Sequence, residues 1–562
     1  MRGPLRLTDE HSAVTNVGEV KAFLSSITPL KKAGILDQAS SLADSRRMLG
    51  NLAKWKTSMA GLLANAALRD PDRIGLIDDE GQRTYTELLE DSHAFAETLR
   101  RQGIDHTSTV AVMCRNGRGI LYPLFAKALL GYRIMLLNAW GSGPQLQATL
   151  EREGADALII DGEFIGHVDG DWPEHHGVSV YVAATHSLPE GAELPVGADT
   201  LAAAVDRNRG ARITKTPKRL SDTVVMSSGT HGIPKGVVLR EPKTPKVVGG
   251  ILRAIPWRRN MVIQLTASMF HAWGWLNVNL CVATRSTMIA RRVYDPEQAY
   301  DDLVKYKANG IVSAAVFLQG LEDEAKRRDP EMEEEFQVEF IVTSGNAIHP
   351  DLVRALNHRF GEVVCNFYCS TELGQIAIAN AAEFARFPRM AGRVPSGVLL
   401  RILNEQGEDC PEGEVGGVYS VNGMSFSGYT NPNERIHTRA GLVNTGDVGY
   451  FDHTGRLFLK GRSDDMAIIG GENVYPRTVE EVIAKLPQVG EVFVTKRDDA
   501  QTVQALVAYV VLCEGHEAGD AEAESIREQV RQNLAEHSVP KDIHFKTSLP
   551  RNDSGKVVPR LL

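Results

Sequence analysis

Met226-Ser227-Ser228-Gly229-Thr230-His231-Gly232-Ile233-Pro234-Lys235-Gly236 packs hydroxyls, three glycines and one lysine into a short stretch that follows the apolar run Thr223 to Met226. Backbone N–H groups freed by glycine can converge on an anion, the hydroxyls of Ser227, Ser228 and Thr230 add donors, and Lys235 adds charge. That is the chemistry of an oligophosphate cradle. It is not the Walker pattern, because Lys235 follows Pro234 and no hydroxyl residue comes directly after it. Taken alone, the stretch also reads as a mobile Gly/Ser turn.

Two further apolar runs end in small polar turns. Phe340 to Thr343 leads into Ser344-Gly345-Asn346-Ala347, and Val363 to Tyr368 leads into Cys369-Ser370-Thr371-Glu372. Such strand ends are where open α/β sheets bind ligands. Met269-Phe270-His271-Ala272-Trp273-Gly274-Trp275 joins aromatic bulk to glycine and suits a pocket wall, with Gly274 leaving space behind His271. A lone histidine among aromatics reads first as a core residue.

The elements that must hold these turns follow from periodicity. Residues 1–56 carry apolar positions at loosely helical spacing among Lys31, Lys32, Arg46 and Arg47, which predicts an amphipathic helical extension. It reads either as a flap packed on the body or as a peripheral membrane contact. From Met59, apolar strands, glycine turns and amphipathic helices alternate, which argues for largely parallel sheets covered by helices on both faces. Residues 186–220, rich in Gly, Pro and charge, read as a surface connection. After about residue 395, short strands divided by glycine turns predict a β subdomain. Gly461-Arg462-Ser463-Asp464-Asp465 reads as a joint, and the remainder as a compact α+β unit. The expectation is therefore a multidomain α/β protein: an extension over 1–56, a large domain over 57–463, and a small mobile domain over 464–562.

A length of 562 residues exceeds one compact core. Hydrophobic residues at 43% and charged residues at 24% are ordinary for a soluble globular chain. A net charge of −9 argues against a broad nucleic-acid surface. Six cysteines without Cys-x-x-Cys spacing fit a reducing cytosol, and Cys365 with Cys369 makes a weak metal candidate. Residues 1–20 lack the apolar core of a signal peptide, and no 18-residue apolar run is present. The expected location is cytoplasmic, with membrane association open through the extension.

In their order along the chain, these motifs resemble those of the adenylate-forming superfamily of acyl-CoA synthetases, luciferases and peptide-synthetase adenylation domains. The resemblance spans roughly Met59 to Arg560 and rests on nine stretches. They are Tyr85-Thr86-Glu87-Leu88, the Ser227–Gly236 loop, Phe270-His271, Ser344-Gly345-Asn346-Ala347, Tyr368 to Glu372, Asn444-Thr445-Gly446-Asp447, Gly461 to Asp465, Gly470-Gly471-Glu472-Asn473-Val474-Tyr475-Pro476, and Pro550-Arg551-Asn552-Asp553-Ser554-Gly555-Lys556. The implied reaction has two halves: a carboxylate attacks the α-phosphate of ATP to give acyl-AMP and pyrophosphate, and the thiol of coenzyme A then displaces AMP.

The resemblance also implies roles. Ser227, Ser228, Gly229, Thr230, His231, Gly232 and Lys235 would hold the β- and γ-phosphates. Thr371 would contact the α-phosphate and Glu372 would help hold Mg²⁺. Gly345, Asn346, Ala347 and Tyr368 would sandwich adenine. Asp447, supported by Arg462, would bind the ribose. Lys556 would bridge carboxylate and α-phosphate, and His271 would gate the acyl channel. Asp464 would be the hinge about which the small domain turns, bringing Gly470 and Gly471 to a pantetheine tunnel. Departures from the pattern are His231, Asn346, Cys369, Ile469, His537-Ser538 and Pro559. The expected substrate is a medium- or long-chain fatty acid, with an aromatic or sterol-derived acid as the alternative. Other readings are an acyl-AMP ligase that loads a carrier protein, and a catalytically silent binding protein.

Overall fold

The computed structural model describes residues 26–37, 41–138, 142–227, 235–239, 246–431, 433–469, 472–499, 502–552 and 555–562. Two eight-stranded sheets form the large domain. In the first, the strands run in the order Gly374–Ala379, Val364–Ser370, Phe340–Thr343, Gly310–Ser313, Val262–Leu265, Thr287–Ile289, Ile74–Asp78 and Gly81–Thr84. The six central strands are mutually parallel, and the two outermost pairings are antiparallel. Strands such as Phe340–Thr343 and Gly310–Ser313 are buried at every position. That is why they read as unbroken apolar runs rather than as alternating ones.

The second sheet has the order Gly428–Tyr429, Lys235–Leu239, Thr223–Ser227, Arg133–Leu136, Thr109–Met113, Ala157–Asp161, Ser179–Ala183 and Asp199–Thr200. Its interior pairings are parallel, and Thr223–Ser227 turns back antiparallel on Lys235–Leu239. One antiparallel hairpin of each large sheet bears on the site: Val364–Ser370 with Gly374–Ala379 holds the Thr371-Glu372 turn, and Thr223–Ser227 with Lys235–Leu239 holds the ends of the Ser227–Gly236 loop.

The segment 186–220 is more structured than the sequence suggests. Asp199–Thr200 closes the second sheet, and Leu201–Arg207 is a helix whose Leu201, Ala204 and Val205 are buried. Apolar residues at i, i+3 and i+4 outweighed the flanking Gly and Pro.

Helical structure in the extension covers 26–32 and Leu42–Trp55. Leu30, Ala33 and Trp55 join the main hydrophobic core. Arg285, buried at 4% side-chain exposure, donates to the Gly34 carbonyl at 2.9 Å. The described part of the extension is therefore packed on the body, while Leu42 and Leu49 on its second helix face outward. Among the described residues no helix is long and apolar enough to cross a membrane.

The β subdomain is antiparallel and built from Val398–Leu403, Gly416–Asn422, Leu442–Phe451 and Leu457–Arg462. The small C-terminal domain packs the helices Pro476–Ile483 and Asp520–Asn533 on a sheet whose long hairpin is Val489–Asp499 with Val503–Leu512. It has its own core around Val479, Ile483, Leu506 and Ile526. Ile469 is part of that core at 7% exposure, so its bulk fills the domain interior.

Candidate active site

The phosphate-loop ends are fixed by strand pairing: Ser227 lies directly opposite Lys235, and Met226 opposite Gly236. Ser228, Gly229, Thr230, His231 and Gly232 lie outside the described residues. The Lys235 ammonium sits 4.7 Å from the centroid of the Tyr429 ring. Gly236 must lack a side chain, since a Cβ there would meet the Thr430 hydroxyl at 2.6 Å. Thr430 also donates its N–H to the Gly236 carbonyl at 2.8 Å.

Across from this loop, Val364–Ser370 and Gly374–Ala379 present the turn that carries Thr371 and Glu372. The ladder slips between Tyr368 and Cys369, and such bulges re-aim side chains next to sites. The segment 422–430, which the sequence reading passed over, ties the turn down. Asn422 donates to the carbonyls of Leu373 at 2.8 Å and Gln375 at 2.7 Å. The Phe426 N–H donates to the Glu372 carbonyl at 2.7 Å, and the Tyr429 hydroxyl donates to the Glu372 carboxylate at 3.2 Å. The available signal was an aromatic pair, Phe426 and Tyr429, inside a glycine-bearing stretch otherwise poor in apolar residues.

A second group of candidate residues comes from the first sheet and the β subdomain. Gly345 has φ +94°, a left-handed conformation that glycine enters without steric cost. Tyr368 donates its hydroxyl to the Asp447 carboxylate. Burial raises the Tyr368 pKa well above its ordinary value, with the Asp447 charge adding to it. Burial also raises the Asp447 pKa, against the opposing pull of Tyr368 and Arg462. Asp447 and Arg462 face each other across the ladder, but the guanidinium reaches Asp447 only at 4.0 Å. Its nearer partner is Asp464, at 2.9 Å. Arg462 is therefore bonded first to Asp464 in the joint and only second to Asp447.

Between these halves lies an apolar cavity of about 20 Å³ lined by Trp273, Trp275, Phe367, Cys369, Thr371 and Met424 among others. Trp273 and Phe367 lie with ring centroids 4.6 Å apart. His271 precedes the helix Ala272–Thr284, and its buried Nε2 has no hydrogen-bond partner among the described residues. Burial, with help from the Lys556 charge, lowers its pKa to about 4, so the ring is neutral at physiological pH. Gly274 does not open space behind His271 as expected. A Cβ there would collide with the Ser268 backbone, so the glycine permits a close helix–loop approach instead.

Lys556 comes from the other domain. Gly555 has φ +76°, and a Cβ there would collide with Val316. The Lys556 N–H donates to Asn552 at 2.9 Å, and the Asn346 side chain donates to the Gly555 carbonyl at 3.3 Å. The small domain is thus docked with its Gly-Lys loop against the Ser344–Ala347 turn. Lys556 acts electrostatically on His271 and on Cys369, whose thiol pKa burial raises while Ser344 and Lys556 pull it down. Among the described residues, Lys556 pairs with no carboxylate.

The joint is held from the small domain. The Lys496 ammonium donates to the carbonyls of Asp464 at 2.7 Å and Met466 at 2.8 Å. Gly470 and Gly471 lie outside the described residues. Among the described residues no group of three or more His, Cys, Asp or Glu could hold a metal ion, and Cys365 is a buried thiol in the core. One oriented carboxylate, Glu372, still fits Mg²⁺, which usually takes one or two protein carboxylates and completes its shell with phosphate and water.

The family described as AMP-binding enzyme matches residues 63–430, and the family described as AMP-binding enzyme C-terminal domain matches 478–556. The chain is 25% identical over 513 residues to an indoleacetate–CoA ligase of Aromatoleum aromaticum, covering 90% of this chain and 96% of that one. It is 28% identical over 515 residues to a 2-succinylbenzoate–CoA ligase of Geobacillus kaustophilus, covering 90% and 98%. In fold it is similar to a benzoate CoA ligase from Burkholderia xenovorans, with a TM-score of 0.77 at 21% identity over 90% of this chain and 99% of that one. With the family match spanning both the two-hairpin site and the docked small domain, the chain belongs to the AMP-binding enzyme family of adenylate-forming proteins.

Proposed function

We propose that the protein is an ATP-dependent acid–CoA ligase that acts through an acyl-adenylate, and that its acid is compact and ring-bearing. The observation that places the acid is Cys369: it lines the apolar cavity and also feels the charge of Lys556. Trp273 and Phe367 contact each other, so an acid at this wall would lie against their exposed edges, with its carboxylate toward Thr371 and Lys556. Lys556 then offsets the repulsion between carboxylate and triphosphate and aligns the attack on the α-phosphate. His271, neutral at physiological pH, flanks this approach without adding a second cation.

Asp447, oriented by Tyr368, keeps one carboxylate oxygen for the ribose. Lys235 holds the leaving pyrophosphate. Glu372 would carry Mg²⁺, which when bound neutralises phosphate charge. The second half-reaction requires release of the Asn346–Gly555 contact and rotation about Asp464, so that Gly470 and Gly471 replace Lys556 beside the adenylate.

The cavity, at about 20 Å³, is the size of a single water, so the case for a ring-bearing acid over the medium- or long-chain fatty acid expected from the sequence rests on the relatives and not on its shape. The names of the relatives, indoleacetate– and 2-succinylbenzoate–CoA ligase, support a ring-bearing acid. The test is AMP release with and without CoA across aryl, arylalkanoic and linear acids of graded length. The reading expects the highest kcat/KM for an aryl or arylalkanoic acid, with CoA-dependent thioester. A clear optimum for a long linear acid would overturn the substrate class, and adenylate without thioester would favour a carrier-loading ligase.

A further inference from the structure

We propose that Tyr429 is the positioning residue that fixes the spacing between Lys235 and Glu372, and so couples the phosphate loop to the metal-binding carboxylate. The proposal rests on the adenylation site argued above. Tyr429 belongs to none of the motifs that pointed to that site, yet it touches both of its charged edges. Its ring lies 4.7 Å beneath the Lys235 ammonium, and its hydroxyl donates to the Glu372 carboxylate at 3.2 Å.

A phenol can do both at once. The cation uses the electron-rich ring face, while the hydroxyl lies in the ring plane and points elsewhere.

The position of Tyr429 is set by three independent constraints. Its strand, Gly428–Tyr429, pairs antiparallel with Lys235–Leu239, with Tyr429 opposite Val237, so its backbone moves with the strand that begins at Lys235. Phe426 packs edge-on to its ring with centroids 5.1 Å apart, and the Phe426 N–H holds the Glu372 carbonyl. Thr430, the next residue, bonds the Gly236 carbonyl through its N–H and Glu153 through its hydroxyl at 2.9 Å. The segment therefore grips the loop's exit strand with one end and the Thr371-Glu372 turn with the other. A shift of either element is passed to the other through Tyr429.

The consequence is a selective effect on the metal–triphosphate complex. Lys235 and Glu372 both serve the phosphate tail, whereas AMP depends on Asp447, Tyr368 and the 345–347 turn. Removing the Tyr429 hydroxyl should free Glu372 to rotate while leaving the nucleoside side intact.

The test is calorimetric titration of MgATP and, separately, of AMP into wild type, Tyr429→Phe and Tyr429→Leu, with thermal melting of each. Tyr429→Phe should weaken MgATP by about tenfold, the scale of one partly solvated hydrogen bond to a charged group. Its AMP affinity and Tm should stay at wild-type values. Tyr429→Leu should weaken MgATP further, and less than additively with Lys235→Met, because the two changes remove one shared contact. Equal loss of MgATP and AMP affinity, or a Tyr429→Phe variant identical to wild type, would reduce Tyr429 to a packing residue and overturn the proposal. A wild-type protein that binds no MgATP would instead sink the adenylation reading, and this proposal with it.

Discussion

The Asn346 side chain donates a hydrogen bond to the backbone carbonyl of Gly555 at 3.3 Å, across 209 residues of sequence and from one domain to the other. Asn346 lies in the turn expected to hold adenine, and Gly555 immediately precedes Lys556. The residue that departs from the family pattern in that turn is thus the one that latches the loop carrying Lys556. Replacing Asn346 with Ala should slow adenylation by about 2–10-fold, the range for one lost hydrogen bond. Thioester formation from supplied acyl-adenylate should be unchanged or faster. A larger loss in the second half-reaction than in the first would show that the latch does not favour the adenylation state.

The joint offers a complementary test. Asp464 is anchored through its carbonyl to Lys496 and through its side chain to Arg462. Asp464→Pro fixes φ at the residue that must turn. Pre-steady-state assays should show CoA-dependent thioester formation reduced far more than pyrophosphate release. Equal reduction of both would move the hinge elsewhere.

Cys369 makes the cavity testable by enlargement. Cys369→Gly removes a side chain from the wall that Trp273, Phe367 and Met424 complete, without touching Thr371. Comparing kcat/KM for a set of acids should show preference moving toward bulkier acids. If the rank order of acids is preserved, the cavity does not select the substrate.

Two buried histidines predict the acid limb of stability. Burial pushes the pKa of both His93 and His271 down to about 4, with neighbouring cations adding to the effect. Both are neutral in the folded protein from physiological pH down to that value, whereas in the unfolded chain they take up protons below about 6.5. The unfolded state therefore binds more protons between about pH 6.5 and pH 4. Stability is fully present above this window and falls as pH drops through it, by up to about 1.4 kcal/mol per pH unit for each histidine. Denaturant melts of wild type and a His93→Gln variant should show a shallower pH slope for the variant. Identical slopes would mean that His93 protonates as easily folded as unfolded.

Much of this site was legible because its chemistry depends on local strings. The Ser344–Ala347 and Tyr368–Glu372 turns sit at strand ends, where an apolar run followed by small polar residues is itself the signal. What stayed hidden was the non-local part. The Asn346–Gly555 latch and the grip of Asn422, Phe426 and Tyr429 on the Glu372 turn depend on pairings between distant strands or domains. Gly274 shows the limit from the other side: its identity signalled a special position, but only the approach of the Ser268 backbone shows that the need was close packing and not pocket space. The packing of the extension was likewise ambiguous, because Leu30 and Trp55 would suit a membrane face as well as the core they join.

The central claim is that a lysine on the small domain drives the first half-reaction and is dispensable for the second. It is tested most directly by Lys556→Ala in the two half-reactions measured separately. Acid-dependent pyrophosphate release should fall by about 10²–10³-fold, as when a single transition-state electrostatic contact is removed. Conversion of supplied acyl-adenylate and CoA to thioester should stay within about twofold of wild type, because a uniform effect on both steps is not expected from a group that acts in only one. Parallel loss of both half-reactions, or full retention of the first, would contradict the account.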